Sequence, residues 1–188
     1  MNQTELILKM SDKELKRQLF ISQLLFLVIS VILSFFLFDS FVQWTALFSF
    51  QVKGLVYYGI VGGLIVVFID VLLMITLPKH YLDDGGINEK LFRHRSVGEI
   101  FQMALVISIC EEILFRGVLQ TSFGLIIASL IFALVHVRYL KKPVLFLSVV
   151  LVSFLLGYSF YVTNNLLVPM TAHFLIDFLL GLIIRFRK

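Results

Sequence analysis

The strongest limit on what this chain can fold into is a series of apolar runs, most about as long as a bilayer is thick, joined by short polar connections. A helix needs about 20 apolar residues to cross a hydrocarbon core of ~30 Å. Inside that core each backbone N–H and C=O must be paired, which restricts such runs to helices or closed barrels. Runs of this length without strand-like alternation read as helices. The expected spans are residues 19–38, 54–77, 97–120, 125–137, 144–162 and 167–184, the fourth being short. Only 15% of the 188 residues are charged, against ~25% in soluble domains, and the mean hydropathy is +1.00. The fold class expected is all-α, a polytopic membrane bundle of six transmembrane helices.

Basic residues set the direction. Lys and Arg number four before the first span, one in the first connection, four in the second, three in the fourth and three in the tail. The third and fifth connections have none, and Arg116 lies within a span. Positive connections face the cytoplasm, so both termini are expected there. The net charge of +4 is explained by this flanking pattern and gives no reason to expect a nucleic-acid partner. The expected contacts are membrane lipid and a peptide or protein, and nothing in the sequence fixes an oligomeric state. Three regions follow: a polar, amphipathic cytoplasmic start (1–18), two accessory spans with a cytoplasmic loop (19–95), and a four-span core (96–188). The stretch 78–95, with its Asp83-Asp84-Gly85-Gly86 turn signal, reads as a polar loop. Trp44 reads as an interfacial anchor. The single cysteine, Cys110, excludes an intrachain disulfide. Two adjacent carboxylates oppose a thiolate there, so it reads as a small helix residue.

The chemistry lies in ionisable residues that interrupt the apolar runs. Such groups are costly in a membrane and tend to face a bundle interior or a wet cavity. Glu112 and Arg116 are four apart and share a helix face, so they can pair. Glu111 is turned about 100° away and is left free to act on a water or a metal. His136 follows Phe132 by four, so the ring can pack on the imidazole. His173 and Asp177 share a face in the last span, where the Asp can orient the His or both can ligate a metal. Each motif alone also reads as a packing device: a buried ion pair, an interfacial His, a hydrogen-bonded polar pair. Together, over three spans, they are harder to explain as packing. Asp70, inside the second span, has no partner that the sequence identifies. Glu99 reads as interfacial, and His80 and His94 as solvated.

The ordered motifs Glu-Glu-x-x-x-Arg (Glu111, Glu112, Arg116), Phe-x-x-x-His (Phe132, His136) and His-x-x-x-Asp (His173, Asp177) resemble those of the CPBP intramembrane proteases. That family is also called the Abi or type II CAAX prenyl protease-like family. The resemblance covers residues 96–184. It implies a helical membrane endopeptidase in which Glu111 and His136 activate the attacking water. His173 and Asp177 complete the site by stabilising the oxyanion or binding a metal, and Glu112 with Arg116 supports it. A zinc ion held by Glu111, His136, His173 and Asp177 is one implied mechanism, and a glutamate-activated water without metal is the other. Asp at 177, where eukaryotic prenyl proteases have Asn, tilts toward a metal. The short chain is similar to the bacterial branch, linked to peptide maturation and bacteriocin self-immunity, and implies a multi-pass protein of a bacterial plasma membrane. A non-catalytic membrane scaffold or regulator is the alternative within the family. A proton- or ion-coupled transporter is the alternative outside it, weakened by the absence of a visible repeat.

Overall fold

The structure, a computed structural model, describes residues 6, 7 and 9–187, and contains helices and no strand among them. Helix α1 (Asp12–Leu37) starts from a reciprocal cap in which the Ser11 hydroxyl accepts the Glu14 N–H and the Glu14 carboxylate accepts the Ser11 N–H. That Ser-x-x-Glu signal overrides the expected boundary at residue 18. Lys13, Lys16 and Arg17 ride on the first turns of α1 rather than on a separate polar segment. Residues 1–5 and 8 of that segment lie outside the described residues. The short α2 (Val42–Ala46) precedes α3 (Val52–Thr76), which contains a π-helical stretch at Leu55–Val61.

The connection 78–95 is not merely a polar loop. It folds a short helix, α4 (Ile87–Phe92), whose Ile87, Leu91 and Phe92 are buried. These apolar positions, Leu91 and Phe92 four and five residues after Ile87, are masked in the sequence by the charged residues around them. Next comes α5 (Val97–Glu112), capped by Ser96 and Glu99 as α1 is by Ser11 and Glu14, and continued by a π-helical stretch at Ile113–Gln120. Then follow α6 (Thr121–Val135), α7 (Pro143–Thr163) and α8 (Leu167–Phe186). Pro143 fits the first turn of α7, where no backbone donor is needed, and Asn164 in the left-handed conformation ends it.

Gly124 separates α5 from the body of α6. Its φ of 83° and ψ of 169° lie in a region essentially reserved for glycine. The chain folds back there, because the Phe115 and Phe132 rings meet edge to face at 4.9 Å. A continuous helix would hold them roughly 25 Å apart at ~1.5 Å per residue. Five helices are long and apolar enough to cross a bilayer when Val97–Val135 is taken as one broken helix. The arm beyond Gly124 is the expected fourth span, but it ends at Val135 rather than Val137 and extends only about 16 Å.

Helix α8 is central, packed against α3, α5 and α7. Lipid-sized apolar side chains such as Phe35, Phe36, Phe68 and Ile75 face outward. The connections gather at two ends. At one end Lys16 and Arg95 reach Glu99 at 3.0 and 3.8 Å, Arg138 reaches Asp84 at 3.9 Å, and Lys142 reaches Asp83 at 4.0 Å. At the other, the Leu166 N–H donates to the Leu47 carbonyl at 2.8 Å and the Asn165 amide donates to the Ser49 carbonyl. Trp44 stands at this second end against Phe38, with ring centroids 5.3 Å apart. Asp70 faces a cavity of about 120 Å³ between α3 and α7, lined by Ser148, Leu151 and Leu155 and by none of the three motifs.

Candidate active site

The three motifs meet around one aromatic ring. The Phe132 centroid is 4.8 Å from that of His136 and 6.0 Å from that of His173, and the Arg116 guanidinium lies 4.5 Å above it. The fold-back at Gly124 makes this possible, because it returns the end of α6 to the level of Glu112–Arg116. Glu111, Glu112, Arg116 and His173 are all buried, and His136 and Asp177 are half-buried.

Glu112 and Arg116 pair as their spacing requires, at 3.2 Å. Both are almost wholly enclosed, at 0% and 1% exposure, so neither charge is stable without the other. The guanidinium also donates to the Ser153 carbonyl at 2.9 Å and its hydroxyl at 3.1 Å on α7. The π-helical stretch begins immediately after Glu112. Such widened turns are rare and recur at functional sites.

Three features differ from the sequence reading. Glu112 is more than a partner for Arg116: the same Oε1 takes His173 Nδ1 at 2.7 Å. His173 Nε2 lies 3.6 Å from Asp177 Oδ2, beyond hydrogen-bond range. The group that fixes the His173 ring is therefore Glu112 on α5, not Asp177 one turn on. A sequence spacing shows only neighbours on the same helix, so the contact across helices was invisible. Second, Glu111 is not free. Its Oε1 accepts from Gln23 Nε2 of α1 at 3.2 Å, and Gln23 is buried. Sequence reasoning missed Gln23, although an amide inside an apolar run is itself a signal. Third, α1, expected as an accessory span, lies against this site: Phe26 meets Phe115 edge to face at 5.8 Å.

His136 caps the end of α6. Its Nδ1–H donates to the Phe132 carbonyl at 2.8 Å, which leaves Nε2 as an acceptor in the neutral ring. Tyr139 stacks parallel to the imidazole at 6.1 Å. Its hydroxyl accepts from Arg138 and Asn88, and burial raises its pKa above the ordinary phenol value.

As arranged, these donors do not fit a metal. A ligating His must offer a free nitrogen, usually with the other one held by a carboxylate or carbonyl. His136, with Nδ1 on the Phe132 carbonyl and Nε2 free, meets that requirement, but both nitrogens of His173 face carboxylates. No group of three or more His, Cys, Asp or Glu among the described residues is disposed around a common point suited to a metal. Cys110 is a buried free thiol.

The fold and the site define a multi-pass helical membrane protein with a buried ionisable centre. A family model described as Type II CAAX prenyl endopeptidase Rce1-like matches residues 94–179. A protein of Bacillus subtilis (strain 168), "Uncharacterized protein YpbD", is 44% identical over 165 residues, covering 88% of this chain and 87% of that protein. The chain belongs to the Type II CAAX prenyl endopeptidase Rce1-like family. No solved structure matches it.

Proposed function

We propose that the protein is an intramembrane endopeptidase that hydrolyses peptide bonds of membrane-associated peptides or proteins with a water activated by Glu111 and His136. The observation that carries this reading is the meeting of three separately encoded ionisable motifs around Phe132, in a chain of an endopeptidase family. A packing role accounts for the Glu112–Arg116 pair but not for the gathering of Glu111, His136 and His173 beside it.

In this mechanism the water donates one hydrogen bond to Glu111 and one to His136 Nε2. Glu111 takes a proton as the oxygen adds to the scissile carbonyl carbon. Protonated His173, held by Glu112, stabilises the oxyanion electrostatically, and Asp177 balances its charge from the other side. Glu111 then passes its proton to the leaving amine nitrogen, which breaks the C–N bond. Each step is completed by residues of this chain, and none is routed through zinc.

The membrane placement that accompanies this reading has six passes, with both termini on the cytoplasmic side of a bacterial plasma membrane. The grouping of the basic connections at one end and the Lys/Arg-poor ones at the other supports it. The test is cleavage of an internally quenched peptide ending in a prenylated CAAX sequence by purified protein in liposomes. Wild type is expected to cleave it, and Glu111→Gln to lose a factor of about 10²–10⁴, the usual contribution of a general base. Equal turnover by folded Glu111→Gln would refute the assignment.

A further inference from the structure

We infer that Gln23, on the first transmembrane helix, is a working part of the active site: its amide N–H aims Glu111, and its carbonyl receives a peptide N–H of the substrate. The inference rests on the endopeptidase reading and adds a residue outside the stretch matched by the family model, which begins at residue 94.

Two observations converge on this side chain. Gln23 is 5% exposed in the middle of an apolar helix, and its Nε2 donates to Glu111 Oε1 at 3.2 Å. A carboxylate can only accept, which orients the amide: the nitrogen must face Glu111. That orientation commits the other end. Gln23 Oε1 is fully buried and finds no hydrogen-bond partner among the described residues. Buried amide oxygens are nearly always satisfied, so an orphaned one beside a candidate general base points to a donor that arrives with the reaction. The attacking water has only two protons, and Glu111 and His136 take both. The donor left for Gln23 is a main-chain N–H of the peptide being cut.

The position of Gln23 is fixed independently of the site. Phe26, on the same helix, packs edge to face on Phe115 at 5.8 Å. Near the start of α1, Lys16 pairs with Glu99 at 3.0 Å. Both contacts join α1 to α5, the helix that carries Glu111. A helix serving only as a lipid-facing cover would need neither the amide nor its alignment with Glu111.

The test compares Gln23→Met and Gln23→Glu, both close to the native volume, on the quenched prenylated peptide. Met removes both polar groups, so kcat is expected to fall at least tenfold and KM to rise. Glu keeps an acceptor but shares a proton with Glu111 instead of donating an amide N–H, so kcat is expected to fall and its pH profile to shift while KM stays within twofold of wild type. A purely structural role would move yield and melting temperature without this kcat-against-KM split. Wild-type kcat and KM in the Met variant would overturn the inference. The Glu111 contact is read separately, without turnover, from the infrared difference between wild type and Glu111→Gln, which isolates the Glu111 carboxyl bands. Loss of a hydrogen bond should displace those bands in the Gln23→Met background, and an unmoved band would overturn the role of Gln23 in holding Glu111. If wild type cleaves nothing, the endopeptidase reading falls and the substrate contact falls with it. The infrared arm still decides whether Gln23 holds Glu111.

Discussion

Replacing Arg116 with Met should destabilise the bundle by about 3–5 kcal/mol, the cost of leaving a buried charge without its partner. The structure shows where that figure comes from. Arg116 makes one ion pair, two hydrogen bonds to Ser153 and one contact over Phe132. The Ser153 groups are not stranded by the change, because its hydroxyl still donates to the Ser129 carbonyl at 3.1 Å and its carbonyl still accepts from Ser129. Met covers the Phe132 face with similar volume, so packing loss is small. The dominant loss is the guanidinium that compensates Glu112, which has no exposed surface, whose Oε2 has no hydrogen-bond partner among the described residues and whose Oε1 keeps only His173 Nδ1. Neutralising that carboxylate should therefore recover most of the loss. In Glu112→Gln/Arg116→Met, His173 Nδ1 can still donate to the amide oxygen at position 112. Thermal unfolding in detergent, followed by tryptophan fluorescence, gives the four corners of the cycle. The Arg116→Met single variant should melt about 6–20 °C lower. The double variant should lie closer to wild type than the sum of the single effects, with a coupling of at least about 1.5 kcal/mol. Additive losses, or an Arg116→Met variant that melts with wild type, would refute the ion-pair account.

Gly124→Ala should destabilise by about 1–3 kcal/mol: nothing lies within 4 Å of the added Cβ, so the loss is backbone strain alone. Chemical denaturation measures it. Gly157→Ala should cost a similar ~1–3 kcal/mol by overpacking, since its Cβ would stand 2.5 Å from Leu125 and 2.9 Å from Gln120 and Ser129. Proteolysis at the 121–124 turn should accelerate in that variant if α6 is pushed off α7. Lys16→Ala removes a partly exposed pair and should change stability by less than ~1 kcal/mol in the same melts. Exhaustive chelation should leave both the melting temperature and peptide cleavage unchanged, as measured on dialysed protein checked for residual zinc.

Much of the fold was legible because a bilayer admits few options. Apolar runs long enough to cross place α3, α5, α7 and α8 nearly at their boundaries, and the break between the runs 97–120 and 125–137 falls at the fold-back. What failed was local. Hydropathy alone begins α1 near residue 19, whereas the Ser11–Glu14 cap begins it at Asp12, and the charged residues around α4 hide its apolar face. The site was legible in its residues and not in its wiring. Spacing of four predicts the Glu112–Arg116 pair, since both sit on one helix. It says nothing of Glu112 reaching His173, or of Gln23 reaching Glu111, because these contacts cross between helices distant in sequence. Spacing leaves open whether Asp177 orients the His173 ring or both ligate a metal, and the contact from Glu112 lies beyond what it can show.

The central claim, that Glu111 activates water to cut a peptide bond, is tested most directly by a single turnover in ¹⁸O-water with metal-stripped protein and the quenched prenylated peptide. Mass spectrometry of the new C-terminal carboxylate should show one ¹⁸O in the first turnover of wild type and no product from Glu111→Gln. A first-turnover product carrying only ¹⁶O would mean that a carboxylate of the protein attacks the peptide. A stripped wild type that cleaves only after zinc is restored would contradict the proposed mechanism, in which no step needs a metal.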